Sequence, residues 1–174
     1  SKMQGILRSL YDFNLSPSEL FLRLNEILSR DMNKNFFVTA LAADIQPDRR
    51  QVLVARAGHL PLFHYRRHSD QVHVLTPRGI GFGLDQNGLF GKELEVMAVP
   101  YEVGDVFLFV TDGITEARNL QEQEFGESRL QQLLQTNAHA SADDLCKQIL
   151  RQVHDYSARQ TPLDDQTVVV IKAV

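Results

Sequence analysis

The chain has 174 residues, 43% of them hydrophobic and 23% charged, with a formal net charge of -4. That length suits one domain with a real core, and the acidic balance argues against a nucleic-acid module, which normally carries a basic face. No apolar run reaches membrane-spanning length, the N-terminus does not read as a signal peptide, and a single cysteine fits a reducing, cytoplasmic compartment.

Residues 1 to 13, SKMQGILRSLYDF, place Met3, Ile6, Leu7, Leu10 and Phe13 on one helical face. No cap or linker precedes them, so the chain reads as starting inside a helix, as a piece of something longer. Ser16-Pro17-Ser18-Glu19 then supplies an N-cap, a first-turn proline and a capping-box glutamate. Leu20, Leu24, Ile27 and Leu28 form the buried stripe of that second helix.

From Phe36 the period changes. FFVTALAADI is β-like, QPDRR turns, and QVLVARAG returns; LPLFHYR and VHVL follow, joined by the polar turn RHSD. Short polar turns favour antiparallel hairpins, because parallel crossovers need a dozen or more residues. GIGFGLDQNG carries four glycines and reads as a mobile surface loop. ELEVMAV and VFLFV are the next strands. ESRLQQLLQT, with leucines at 130, 133 and 134, is a helix; Ser141 caps a longer one carrying Leu145, Ile149, Leu150 and Val153. TPLDDQTVVVIKAV closes the chain as an acidic turn feeding an apolar strand. The pattern is that of an α+β domain with a largely antiparallel sheet.

VFLFV and TVVVI are apolar on both faces, which marks them as central, covered strands. Asp112 lies just beyond the end of the first, and Asp164 and Asp165 lie just before the start of the second. If the two strands are antiparallel neighbours, these acidic turns share one sheet edge, with Glu116 as a further carboxylate close by. Carboxylates crowded together repel unless a cation neutralises them, and a hard divalent ion such as Mg²⁺ or Mn²⁺ is the usual solution. Zinc fits poorly, because no cysteine or histidine pair has ligand spacing. The alternative is plain: Asp112 as a turn residue, Asp164 and Asp165 as caps on the last loop.

TDGITEARN, FGESRL and LDDQTVVVIK, preceded by FVTALAADI and ARAGHLPLF, together resemble the SpoIIE/RsbU-type serine phosphatases, the bacterial branch of the metal-dependent protein phosphatase 2C-like (PPM) superfamily. The resemblance runs from about Phe36 to the C-terminus, and the two N-terminal helices fit it. It implies two stacked, mostly antiparallel sheets flanked by helices, an αββα sandwich. It also implies a two-metal Mn²⁺ or Mg²⁺ centre that hydrolyses phosphoserine or phosphothreonine on a protein through a metal-bound water, with no protein nucleophile. By that likeness Asp112 and Asp164 are metal ligands, Asp165 belongs to the loop or to a water-bridged outer position, and Gly113 permits the sharp turn and close approach to the metal. The family's earlier Asp-x-x-Gly-His-Gly motif, which carries a bridging aspartate, is absent. The domain therefore reads as N-terminally incomplete, lacking its first strands and first metal motif, and this chain as a weak metal binder or an inactive one. The implied partners are a phosphorylated anti-sigma factor antagonist of the STAS type and an upstream sensor or response-regulator domain, with a homodimer left open. A catalytically silent interaction module of the same fold is the competing reading.

Several residues have two readings. His59 in AGHLP is either a group near the metals or a turn histidine held by a backbone carbonyl, the simpler account. His64, His68 and His73 read as solvent-facing residues of a hairpin. Thr111 either bonds an aspartate of the site or merely ends its strand, and Thr167 is expected to order the Asp164 turn through its hydroxyl. Glu116 and Arg118 either contact a phosphoprotein or form a helical salt bridge. The Phe82 loop is the expected lip over the site. Cys146 has Arg151 five positions on, but position 152, where a cysteine phosphatase needs its arginine, is glutamine; Cys146 is expected to be structural.

Overall fold

A computed structural model of the chain describes residues 2–31, 37–84, 88–158 and 164–174. They form two compact units, the first from residues 1–59 and 76–100 and the second from 60–75 and 101–174.

The first unit opens with helix α1 (Lys2–Leu10), a 3-10 turn over Tyr11–Phe13, and helix α2 (Pro17–Asp31). The capping box closes as its sequence requires. The Ser16 amide donates to Glu19 Oε2 at 2.9 Å, and the Glu19 amide to Ser16 Oγ at 3.4 Å. The Ser16 hydroxyl bond is the largest cause holding the Glu19 carboxyl below its ordinary range. Phe21, Leu24 and Leu28 form the buried stripe. Phe21 joins the expected positions, while Ile27 is only half-buried. Met3, Ile6 and Leu10 of the first helical face pack inward, but Leu7 within the helix is exposed, as is Phe13, which falls in the 3-10 turn after the α-helix ends at Leu10.

The unit's sheet has the order β1-β2-β5, built from β1 (Ala40–Gln46), β2 (Gln51–Ala57) and β5 (Val96–Pro100), all antiparallel. The proposed strand start at Phe36 lies outside the described residues. A single helical turn, α3 (Phe90–Glu93), precedes β5, over residues the sequence reading left unassigned but for Glu93, and the strand starts at Val96 rather than Glu93.

From Gly79 to Gly83 the glycine-rich stretch is packed rather than a surface loop, while Leu84 and Gly88 are exposed. Phe82 is fully buried, its ring 5.2 Å from Phe21 and 5.3 Å from Phe90 by centroids. Its backbone exchanges two hydrogen bonds with Val38, at 2.8 and 3.1 Å. A Cβ at Gly79 would fall 1.7 Å from the Arg56 carbonyl oxygen, so this glycine is there for close backbone approach rather than for motion. The expected lip at Phe82 is therefore part of a hydrophobic core; residues 85–87 lie outside the described residues.

The second unit's sheet has the order β4-β3-β6-β7, from β3 (Leu62–Arg66), β4 (Gln71–Leu75), β6 (Val106–Val110) and β7 (Val168–Lys172), again antiparallel throughout. Helix α4 (Asp112–Thr115) follows β6, and helices α5 (Gly126–Asn137) and α6 (Ala142–Ser157) pack their Leu130, Leu134, Leu145, Ile149 and Val153 against Phe63, Tyr65, Leu108 and Val110. Each such fully buried side chain contributes about 1.5–3 kcal/mol. Ser141 caps α6 by accepting from the Asp144 amide at 3.1 Å, while Leu150 stays exposed. β6 is central, as its composition demands. β7 is not: it is the sheet's edge, with Val169 46% exposed. Valine content marks a strand but does not say how many neighbours it has.

His64 corrects another expectation. It is fully buried and stacked on Phe107 at 4.3 Å, and its Nε2 lies 2.9 Å from Asp105 Oδ2. Asp105 also accepts from the amides of Arg67 at 2.9 Å and Glu102 at 3.2 Å. Burial is the main cause that pushes the His64 pKa below the usual histidine value, opposed by the Asp105 bond. His68 is exposed and His73 half-buried. No described helix is long and apolar enough to cross a membrane.

Candidate functional site

β6 and β7 run antiparallel with Val110 opposite Val168, so the end of one and the start of the other coincide. Asp112 leaves the first and Asp164–Asp165 enter the second, which brings the two acidic turns to one sheet edge.

The turns are joined atom to atom. The Thr111 amide donates to the Thr167 carbonyl at 3.2 Å. The Thr111 hydroxyl donates to the Asp165 carbonyl at 3.0 Å and accepts from the Thr167 amide at 2.9 Å. Gln166 Nε2 donates to the Gly113 carbonyl at 3.1 Å. Thr111 thus neither bonds an aspartate side chain nor merely ends its strand: it fastens one turn to the other. The expected role of the Thr167 hydroxyl passes to its main chain. Gln166 escaped the sequence reading, although it stands inside the LDDQT motif.

Gly113 makes this contact sterically feasible. A Cβ there would meet the Asp165 carbonyl oxygen at 2.4 Å, its carbon at 2.9 Å and the Asp164 oxygen at 3.3 Å. Gly113, Ile114 and Thr115 are buried, anchoring α4 in the core, while Asp112 itself is exposed. Asp112 Oδ1 accepts from the Gly113 amide at 3.0 Å, and Asp164 Oδ1 from the Asp165 amide at 2.7 Å. Each carboxylate is thereby oriented by the amide next to it, at a solvent-facing position.

The remaining expected residues have partners of their own. His59 belongs to the first unit; its Nδ1 lies 3.1 Å from the Thr39 hydroxyl, and its carbonyl accepts from Arg56 at 2.8 Å. A threonine hydroxyl thus meets one nitrogen of its ring. Arg118 pairs with Glu124 at 3.1 Å and Glu122 at 3.7 Å, not with Glu116, whose amide closes α4 on the Asp112 carbonyl. Cys146 sits in α6, and burial pushes its thiol pKa up, which suits a structural residue.

The Stage II sporulation protein E (SpoIIE) family model matches residues 1–174. The chain belongs to the SpoIIE family. It is 27% identical over 176 residues to the phosphoserine phosphatase RsbU of Bacillus subtilis (strain 168), covering 99% of this chain and 50% of that protein. The chain thus spans about half the length of this curated relative. Its fold is shared with the SiaA-PP2C domain of Pseudomonas aeruginosa, with a TM-score of 0.79 at 16% identity over 98% of this chain and 65% of that one. It is shared also with the manganese-presoaked phosphatase domain of SpoIIE from Bacillus subtilis, with a TM-score of 0.65 at 17% identity over 99% and 74%.

Against a divalent ion, the SpoIIE-family site offers the right donor chemistry: two oriented, solvent-facing carboxylates on rigidly joined turns suit hard cations. Three carboxylates were expected to converge. Among the described residues no group of three or more acidic, histidine or cysteine side chains is placed to hold a metal ion. Asp112 and Asp164 stand there as two exposed carboxylates on adjoining turns.

Proposed function

We propose that this chain is a metal-dependent protein serine/threonine phosphatase domain, removing phosphate from phosphoserine or phosphothreonine on a regulatory partner in bacterial signal transduction. The partner class we assign is a phosphorylated anti-sigma factor antagonist of the STAS type. The observation that carries this reading is the fastening of the Asp112 turn to the Asp164–Asp165 turn through Thr111 and Gly113. Family membership and the likeness to a phosphoserine phosphatase support the reaction class; the manganese treatment of the related SpoIIE domain supports the choice of ion.

In this reading Asp112 and Asp164 hold Mn²⁺ or Mg²⁺, with water completing the coordination. When bound, such ions polarise the phosphoryl group and lower the pKa of water, the chemistry a slow monoester hydrolysis needs. The protein's own contribution is positional. The Gly113 and Asp165 amides hold the two carboxylates in orientation, and Thr111 and Gln166 fix the gap between them. The buried Ile114 keeps α4 from tilting. Neither aspartate attacks phosphorus.

A silent interaction module is the second reading, favoured by the shortage of donors among the described residues. Phosphate release from p-nitrophenyl phosphate and a phosphoserine peptide, by the full-length protein with Mn²⁺, separates the two. Turnover that Asp112→Asn abolishes supports the phosphatase; turnover untouched by that change refutes the site, and a wild type inert on both substrates favours the silent module.

A further inference from the structure

Between α4 and α5 the chain makes a closed loop, residues 118–124, RNLQEQE. Arg118 and Glu124 form a backbone bridge at its base, and the Phe125 amide donates to the Ala117 carbonyl at 2.8 Å. Asn119 ties the interior. Its amide donates to the Gln123 carbonyl at 3.0 Å, and its Oδ1 accepts from the amides of Gln121 and Gln123 at 2.9 and 3.0 Å. Its Nδ2 reaches the Tyr156 hydroxyl of α6 at 3.3 Å, and that hydroxyl lies 3.2 and 3.1 Å from the carbonyls of Gln123 and Glu124. The Tyr156 ring meets Phe125 edge-to-face and lies under the Arg129 guanidinium. Glu122 accepts a left-handed backbone, φ 60, a conformation unfavourable for a residue with a Cβ.

This much ordering serves to hold one shape, and what the shape presents is Leu120. It is 71% exposed, more than any other large apolar side chain among the described residues except the terminal Val174. A lone exposed leucine on a floppy loop would need no explanation; one held out by a side-chain-tied loop does, since loops on rigid supports carry recognition.

Its place names the occupant. Leu120 follows Asp112 by eight residues, the first four in a helical turn, so the two are within about 22 Å. A folded protein buries about 800 Å² per side, a patch roughly 30 Å wide. A contact patch of that width that takes in the Asp112 turn toward one side spans the distance to the loop, whereas a free phosphate ester does not. Arg118, flanked by Glu122 and Glu124, leaves the loop with a net negative rim.

We infer that Leu120 is a docking residue for the phosphoprotein substrate, an apolar knob that enters a shallow apolar pocket rimmed by basic side chains on a folded partner. Asn119 is the positioning residue that holds it. The inference rests on the phosphatase reading above.

The test compares full-length wild type, Leu120→Ser, Leu120→Met and Asn119→Ala with Mn²⁺ on a phosphorylated STAS-type protein and on p-nitrophenyl phosphate. Leu120→Ser loses about 10- to 100-fold in kcat/KM on the phosphoprotein, through KM. Leu120→Met recovers most of that loss, Asn119→Ala shifts KM in the same direction, and p-nitrophenyl phosphate turnover is unchanged throughout. Equal kcat/KM for wild type and Leu120→Ser on the phosphoprotein overturns the inference. So does a wild type that hydrolyses p-nitrophenyl phosphate but not the phosphoprotein, which leaves the phosphatase reading standing. Loss of both activities in wild type fails the phosphatase reading itself, and the docking role with it.

Discussion

Gly113→Ala probes the joint between the two acidic turns without touching a carboxylate. The new methyl would sit 2.4 Å from the Asp165 carbonyl oxygen, so the turns must part by about 0.6 Å merely to reach 3.0 Å, the closest approach a real Cβ makes. Besides the main-chain bond from the Thr111 amide to the Thr167 carbonyl, which continues the strand ladder, three hydrogen bonds of 2.9–3.1 Å cross the joint, Thr111 to Asp165, Thr167 to Thr111 and Gln166 to Gly113, and that separation stretches these three beyond useful length. At about 1 kcal/mol each, the loss is about 3 kcal/mol. Alanine's better helix propensity in α4 returns about 1 kcal/mol, leaving a net destabilisation of about 2 kcal/mol. Urea unfolding measures it, with Gly5→Ala as the control: a Cβ at Gly5 meets nothing within 4 Å, so that exposed position in α1 is expected to gain up to about 1 kcal/mol. Mn²⁺-dependent turnover should fall sharply in Gly113→Ala and stay at wild type in Gly5→Ala. A Gly113→Ala protein as stable and as active as wild type would refute the packing of the turns.

Phe82→Ala should cost about 3–5 kcal/mol in urea unfolding, because the ring fills a core between Phe21 and Phe90; a loss below 1 kcal/mol would restore the mobile-loop reading. Asp105→Ala leaves two part-buried amides and the buried His64 without their acceptor and should cost about 3–5 kcal/mol, at about 1–1.5 kcal/mol for each of three hydrogen bonds. The depressed His64 pKa means the unfolded chain binds the proton more readily. The stability it contributes is therefore intact above about pH 6.5 and declines as pH falls from there toward the folded-state pKa. Unfolding curves at pH 8 and pH 5.5 should show a smaller pH difference in His64→Gln than in wild type, and identical differences would contradict this.

What was legible in the sequence was mostly local or set by pairing. The Ser16–Glu19 and Ser141–Asp144 caps are short-range devices whose residues name their own partners, and both closed as read. The RHSD hairpin formed as read, and VFLFV pairs with TVVVI antiparallel, the condition on which the Asp112 and Asp164–Asp165 turns were expected to share a sheet edge. The failures share a cause: a residue type that serves two opposite ends. Glycine permits motion and also close packing, and around Phe82 it is packing that won. Histidine in an alternating hairpin suggests solvent, but β3 is buried at four successive residues, Leu62 to Tyr65, and His64 survives there by its bond to Asp105, forty-one positions away in sequence. Thr111 was noticed without its task being readable, since its partners are main-chain atoms of a turn more than fifty residues on.

The central claim, that the Asp112 and Asp164 turns together hold a divalent ion, is tested most directly by Mn²⁺ binding followed by electron paramagnetic resonance in the full-length protein. Asp112→Asn and Asp164→Asn should each weaken binding at least about tenfold, with the urea midpoint unchanged because both side chains are exposed. Mn²⁺ affinity equal to wild type in both variants would contradict the account.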